Sequence, residues 1–272
     1  MKNVKMVTNF FMKRDVTMIT VVKEELAGIP ALHVAANKDM EKPLPLFIFW
    51  HGFTSAKEHN LHYAYLLAGE GYRIIMPEAE HHGERHKGIP DDQRSLSFWE
   101  IVIKSIHETE EIVSALKKRA LVESSDIAMA GVSMGAIITL GALTQYNWVT
   151  TAASFMGTPA YEDFVHEQIE RIKEESGVFP FSKEELDRKK ALLNSYDLSK
   201  QPEAAQNRDL FFWHGAQDTV VPIDGAKSFA ASHKNADNLT FIVDAQAGHH
   251  VNREGILSFI SWLKNRQPLK MI

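Results

Sequence analysis

Three short segments carry side chains that could cooperate in nucleophilic chemistry. Gly131-Val132-Ser133-Met134-Gly135 sets a serine between two glycines, HGAQDTVVP (214–222) holds Asp218, and AGHH (247–250) holds two adjacent histidines. A serine hydroxyl attacks a carbonyl carbon only when a base takes its proton, and the base needs an acid to orient it. The chain order Ser133, Asp218, His249 is the order expected when a G-x-S-x-G turn follows a buried strand. His250 is the alternative base; only one of two consecutive loop residues can serve, and His249, directly after Gly248, is preferred. Asp244 is the rival acid, but at the end of its own strand it reads as a turn or cap residue.

Attack on a carbonyl also places negative charge on the carbonyl oxygen, which two backbone N–H groups usually hold. Met134, directly after the serine, supplies one. Phe53 supplies the second, because Gly52 lets the chain turn tightly after an early strand; His51 then braces that loop. Gly131 and Gly135 are required because side chains there would collide with the neighbouring strand and helix.

Short apolar runs alternate with amphipathic stretches, the pattern of a mostly parallel sheet covered by helices. Val16–Val22 and Ile29–Ala35 read as a hairpin, with Gly28 and Pro30 marking its turn. Leu44–Trp50 is continuously apolar, as a strand buried on both faces must be, and runs into His51. Asn60–Ala68 is expected to be a helix and Tyr72–Met76 a strand, followed by a polar loop to Pro90. Phe98–Leu121 repeats apolar residues at helical spacing. Asp126–Gly131 is a strand ending at the serine, and Ala136–Tyr146, apolar almost all round, is a buried helix. Thr151–Met156, Asp209–Trp213 and Leu239–Val243 are further strands, with helices at 225–233 and 253–265. The charged, helical stretch at about 160–205 interrupts this rhythm. It reads as a cap or lid insertion lying over the sheet edge, within a single domain spanning 1–272. Tyr161, Phe164 and Phe179 would then line a pocket for the acyl or alcohol group.

Composition excludes several alternatives. The chain of 272 residues has no cysteine, so disulfides, thiolate metal sites and a cysteine nucleophile are ruled out. The formal net charge of −5 offers no broad basic face, so neither nucleic acid nor anionic membrane is an expected partner. No apolar run approaches the roughly 20 residues of a membrane span, and Lys5, Asn9, Lys13 and Arg14 interrupt the N-terminal apolar residues. The expected location is the cytoplasm; homo-oligomerisation is left open.

HGFTS (51–55), GVSMG, HGAQDTVVP and AGHH together resemble the α/β-hydrolase superfamily over nearly the whole chain. The segment around Asp218 and the HGER segment (82–85) look most like small bacterial esterases of the dienelactone-hydrolase and prolyl-oligopeptidase-like branch. The resemblance implies an α/β-hydrolase fold, an eight-stranded, mostly parallel sheet with helices on both faces. It also implies hydrolysis of a small-molecule ester, thioester or amide with no cofactor. Ser133, Asp218 and His249 would be the triad, with Phe53 and Met134 as oxyanion donors. Two departures bear on substrate. Dienelactone hydrolases use a cysteine nucleophile, and prolyl oligopeptidases carry a propeller for which this chain has no room. A short-chain carboxylesterase is therefore favoured over a peptidase, amidase or thioesterase with the same triad. A non-catalytic binder would not need all three groups.

His81, His82 and His86 share one loop with Glu78, Glu80 and Glu84, a composition that could ligate zinc. The favoured reading is a metal-free polar rim of the pocket, with Arg85 pairing with an acid to fix it.

Overall fold

The computed structural model describes residues 17–177, 182–233 and 237–266. Strand β1 (Ile19–Leu26) reverses through Ala27 and Gly28 into β2 (Ile29–Ala36), and both turn residues have positive φ, 53° and 81°. Such two-residue turns match the twist of a hairpin. Pairing runs from Ile19↔Ala36 to Leu26↔Ile29. The first strand therefore lies later than 16–22, and Pro30 belongs to β2 rather than to the turn. Val16 is outside the described residues.

The remaining elements alternate. In chain order they are β3 (Leu44–Trp50), α1 (Leu61–Gly69), β4 (Arg73–Pro77), α2 (Asp91–Leu96), α3 (Phe98–Lys118), β5 (Val122–Val132), α4 (Met134–Gln145) and β6 (Val149–Phe155). They continue with α5 (Tyr161–Ser176), α6 (Lys183–Asn194), β7 (Asp209–Gly215), α7 (Asp224–Ser232), β8 (Leu239–Asp244) and α8 (Arg253–Arg266). The short helix α2 carries no apolar stripe by which periodicity could mark it; all its residues lie outside the buried core. The strands form one eight-stranded sheet in the order β1-β2-β4-β3-β5-β6-β7-β8. The β1–β2 and β2–β4 pairings are antiparallel and the rest parallel.

Burial on both faces explains the unbroken apolar run of β3. Leu46, Ile48 and Trp50 pack into one core cluster with residues of α3, α4 and α5, while Phe47 and Phe49 join the opposite cluster with α1 and α8. The 160–205 stretch folds as α5 and α6 between two central strands. The outer strands are β1 and β8, so the insertion leaves the sheet between two inner strands, β6 and β7. Tyr161, Phe164, Val165 and Ile169 of α5 are buried in the core cluster shared with α3 and α4. That burial is what holds a helix whose other side is so heavily charged.

Candidate active site

Strand β5 ends at Val132 and α4 begins at Met134, so Ser133 alone makes the turn, with φ 56° and ψ −118°. This conformation is costly for a residue with a side chain, on the order of 1–3 kcal/mol, and its surroundings must impose it. The Ser133 N–H donates to Phe155 O at 2.8 Å, tying the turn to the end of β6. A Cβ on Gly131 would lie 2.2 Å from Gly135 C, and one on Gly135 would lie 2.0 Å from Trp50 O. Both contacts are with backbone, so neither has a flexible neighbour to yield.

The loops after β7 and β8 bring two more groups to this turn. His249 Nε2 lies 2.9 Å from Ser133 Oγ, and His249 Nδ1 lies 2.6 Å from Asp218 Oδ2. With the proton on Nδ1, His249 donates to the carboxylate and accepts from the serine hydroxyl. Asp218 Oδ1 accepts from the N–H groups of Val220 (2.9 Å) and Val221 (3.0 Å). His214 Nε2 stands 3.4 Å from Oδ2 while donating to Val221 O at 2.9 Å. Burial alone would raise the Asp218 carboxyl. The neighbouring His214 and His249 and the Val221 N–H outweigh it and hold the group well below the usual carboxylate range.

The two alternatives go elsewhere. His250 is exposed at the cleft rim, and its N–H donates to Gly248 O at 3.0 Å. Asp244 accepts from the N–H groups of Gln246 (2.9 Å) and Ala247 (3.1 Å) and from Asn252 Nδ2 (2.6 Å), a turn role.

The loop after β3 lies against the serine turn, since a Cβ on Gly52 would sit 3.5 Å from Ser133 Cβ. His51 Nδ1–H donates to Gly52 O at 2.8 Å. The C=O and N–H of a trans peptide point in opposite directions, so the Phe53 N–H faces away from His51. Met134 opens α4, where N–H groups have no intrahelical acceptor.

The histidine-rich segment grips this loop from behind. Glu78 is fully buried, with Lys57 Nζ 2.6 Å from Oε2 and His51 Nε2 3.1 Å from Oε1. Burial pushes the Glu78 carboxyl up, but His51 and Lys57 prevail and bring it down to about 2. His82 Nε2 donates to Phe53 O. Burial, the largest influence, lowers the His82 imidazole to about 4. Arg85 forms a two-pronged pair with Glu108, both contacts 2.7 Å, and donates to Glu78 O at 2.8 Å. Glu84 also contacts Lys57, at 3.0 Å. Among the described residues no three histidine or acidic side chains converge as metal ligands. Nothing in the sequence marked Lys57 as buried; its role depends on Glu78 arriving from 21 residues away.

Ser133 and His249 open into a cleft of about 560 Å³ walled by Phe53, Phe98, Val132, Met156, Phe164 and Val220. Of the expected pocket residues, Phe164 reaches it. Tyr161 does not: its ring is fully buried and its hydroxyl donates to Ile137 O, so it anchors α5 to α4. Phe179 lies outside the described residues. Gln168 and Arg171, which also line the cleft, read in sequence as part of a solvated charged face.

Residues 63–265 match the prolyl oligopeptidase family. The chain belongs to that family. This α/β-hydrolase is 40% identical over 252 residues to "Putative esterase YitV" of Bacillus subtilis (strain 168), covering 91% of this chain and 99% of the relative. It is 33% identical over 208 residues to "Esterase YjfP" of Escherichia coli (strain K12), covering 76% and 82%. Its backbone resembles the crystal structure of TT1662 from Thermus thermophilus, with TM-score 0.72, 18% identity and coverage of 91% and 98%. The family and fold read from the four motifs are thus borne out. Among the described residues, no helix is long and apolar enough to cross a membrane.

Proposed function

We propose that this α/β-hydrolase cleaves small carboxylic esters, with Ser133 as nucleophile, His249 as base and Asp218 as the orienting acid. The observation that carries the reading is the unbroken relay from Ser133 Oγ to His249 Nε2 (2.9 Å) and from His249 Nδ1 to Asp218 (2.6 Å). The esterase names of both relatives support ester hydrolysis as the reaction.

His249 Nε2 takes the Ser133 proton as Oγ bonds to the carbonyl carbon. The oxyanion rests on the Phe53 and Met134 N–H groups. The C–O bond to the alcohol breaks, and the alcohol leaves with the proton from His249. Water, deprotonated by His249, then attacks the acyl-enzyme and releases the acid and Ser133. Ionised Asp218 stabilises the imidazolium in both halves without taking its proton. The sequence carries no requirement for a cofactor. We place the enzyme in the cytoplasm, acting on a small molecule and not on nucleic acid or membrane.

The aromatic and aliphatic walls of the cleft favour short acyl chains, with rates falling once added methylenes no longer fit. The test is Ser133→Ala against p-nitrophenyl acetate. The expected fall in kcat is several orders of magnitude, as when a triad member is lost. Full activity in that variant would remove Ser133 from the mechanism, and strong turnover of aminoacyl amides would favour a peptidase instead.

A further inference from the structure

The α5 residues facing the cleft are Phe164, Gln168 and Arg171, spaced i, i+4, i+7 along one stripe of the helix. Burial decreases along it: Phe164 is 5% exposed, Gln168 is half-buried and Arg171 is exposed. The stripe therefore runs from the apolar interior of the cleft to its mouth.

Both polar members offer donors. Trp99 Nε1 lies 2.8 Å from Gln168 Oε1. An indole nitrogen only donates, so the amide oxygen is committed to Trp99 and the Gln168 NH2 is the end left to the cleft. One guanidinium nitrogen of Arg171 donates to Thr219 O at 3.0 Å, the residue after Asp218. That bond anchors the guanidinium over the acid's loop and leaves most of its five N–H groups. Among the described residues lining the cleft there is no aspartate or glutamate, and Arg171 is the single permanently charged side chain. Asp218 is ionised but turned to His249, and Glu167 lies near enough to interact with the Arg171 charge. Of the groups that line the cleft, Arg171 alone presents a permanent charge, beside the Gln168 donors. Glu167, one turn earlier on α5, is not among the lining residues.

We propose that Gln168 and Arg171 make the cleft selective for esters whose acyl part ends in an anionic group such as a carboxylate. The inference rests on Ser133 being the nucleophile. Phe164 packs against the methylene chain, while the Gln168 NH2 and the Arg171 guanidinium receive the anion at the mouth.

The experiment compares kcat/KM for p-nitrophenyl hydrogen adipate and p-nitrophenyl hexanoate, two acyl groups of equal length differing in the terminal charge. The wild type prefers the anionic ester, and the preference shrinks at 1 M salt, where screening acts within about 3 Å. Arg171→Met lowers the anionic-to-neutral ratio by up to about fivefold, the upper end for an exposed charge pair. Gln168→Leu lowers it about two- to tenfold, as for loss of one hydrogen bond. A wild type without the preference, or ratios unchanged in both variants, overturns the proposal. Disturbance of the Asp218 loop through Thr219 would slow both esters equally, leave the ratio intact and so count against it. Ser133→Ala is the separate control: activity surviving there refutes the nucleophile, whatever the ratio shows.

Discussion

Asp218→Asn exchanges one carboxylate oxygen for an NH2, and the geometry fixes where that NH2 must point. Oδ1 of Asp218 accepts two backbone N–H groups, from Val220 and Val221 at 2.9 and 3.0 Å, while Oδ2 faces His249 Nδ1 at 2.6 Å. The amide oxygen of the substituted side chain must take the Oδ1 place, because an NH2 there would oppose two donors. The NH2 then points at His249 and forces its proton onto Nε2, which removes the base from Ser133. Restoring the productive tautomer requires the amide to flip and leave the buried Val221 N–H and the part-buried Val220 N–H unsatisfied, at about 1–3 kcal/mol each. That total of about 2–6 kcal/mol corresponds to roughly 30-fold to 2 × 10⁴-fold in rate at about 1.36 kcal/mol per decade. The same exchange in the triad of a serine protease lowers kcat by about 10⁴, inside this range. The assay is kcat on p-nitrophenyl acetate at neutral pH, with Ser133→Ala as the floor and thermal unfolding to show an intact fold. An Asp218→Asn enzyme keeping more than about a tenth of wild-type kcat, a loss smaller than the 30-fold minimum, would refute the tautomer argument.

Gly135→Ala puts a Cβ 2.0 Å from Trp50 O and 2.9 Å from His51 O. Overpacking against backbone costs about 1–3 kcal/mol or more, so a lower Tm is expected with a larger fractional loss of kcat, since the serine turn and the loop after β3 are pushed apart. An unchanged Tm would contradict the contact. Glu78→Gln removes the fully buried anion beside Lys57, which keeps the more exposed Glu84 at 3.0 Å and Glu58 at 3.1 Å, so denaturant unfolding at pH 7 should show a loss of at most about 3–5 kcal/mol. The folded Glu78 carboxyl sits at about 2, below its unfolded value of about 4.3, so its stabilisation is full above that unfolded value and disappears as pH falls through about 2. The gap between wild type and Glu78→Gln must therefore narrow over that acid window, and a gap constant with pH would argue against the pairing.

Much of this site was legible because its constraints are local. A serine in a left-handed turn needs small neighbours, and Gly131 and Gly135 show that need directly. The unbroken apolar run of β3 announced burial on both faces. Ser133, Asp218 and His249 were found across long separations because each sits in a motif; what could not be read were long-range pairings that no motif marks. Lys57 looks like a surface lysine until Glu78 is brought beneath it, and Arg85 shows no sign of which acid it will meet. Tyr161 and Phe164 are both aromatic residues on one amphipathic helix. Only the docking angle of α5 decides that the first anchors to Ile137 while the second faces the cleft. The charged face likewise concealed Gln168, whose orientation depends on Trp99, 69 residues earlier.

The relay must also span the sheet. β5 and β8 are separated by β6 and β7, and at about 4.8 Å per strand the serine turn lies about 14 Å from the strand that precedes His249. The loop after β8 closes this gap by folding back over the end of β7. Gln217 N–H donates to Ala247 O at 3.0 Å, and a Cβ on Gly215 would meet Gly248 O at 2.3 Å. Gly215 thus permits the close approach that carries His249 across, while Asp218, emerging from the same β7 end, meets it midway. Asp218 stands between Ser133 and His249 in sequence because β7 stands between β5 and β8 in the sheet.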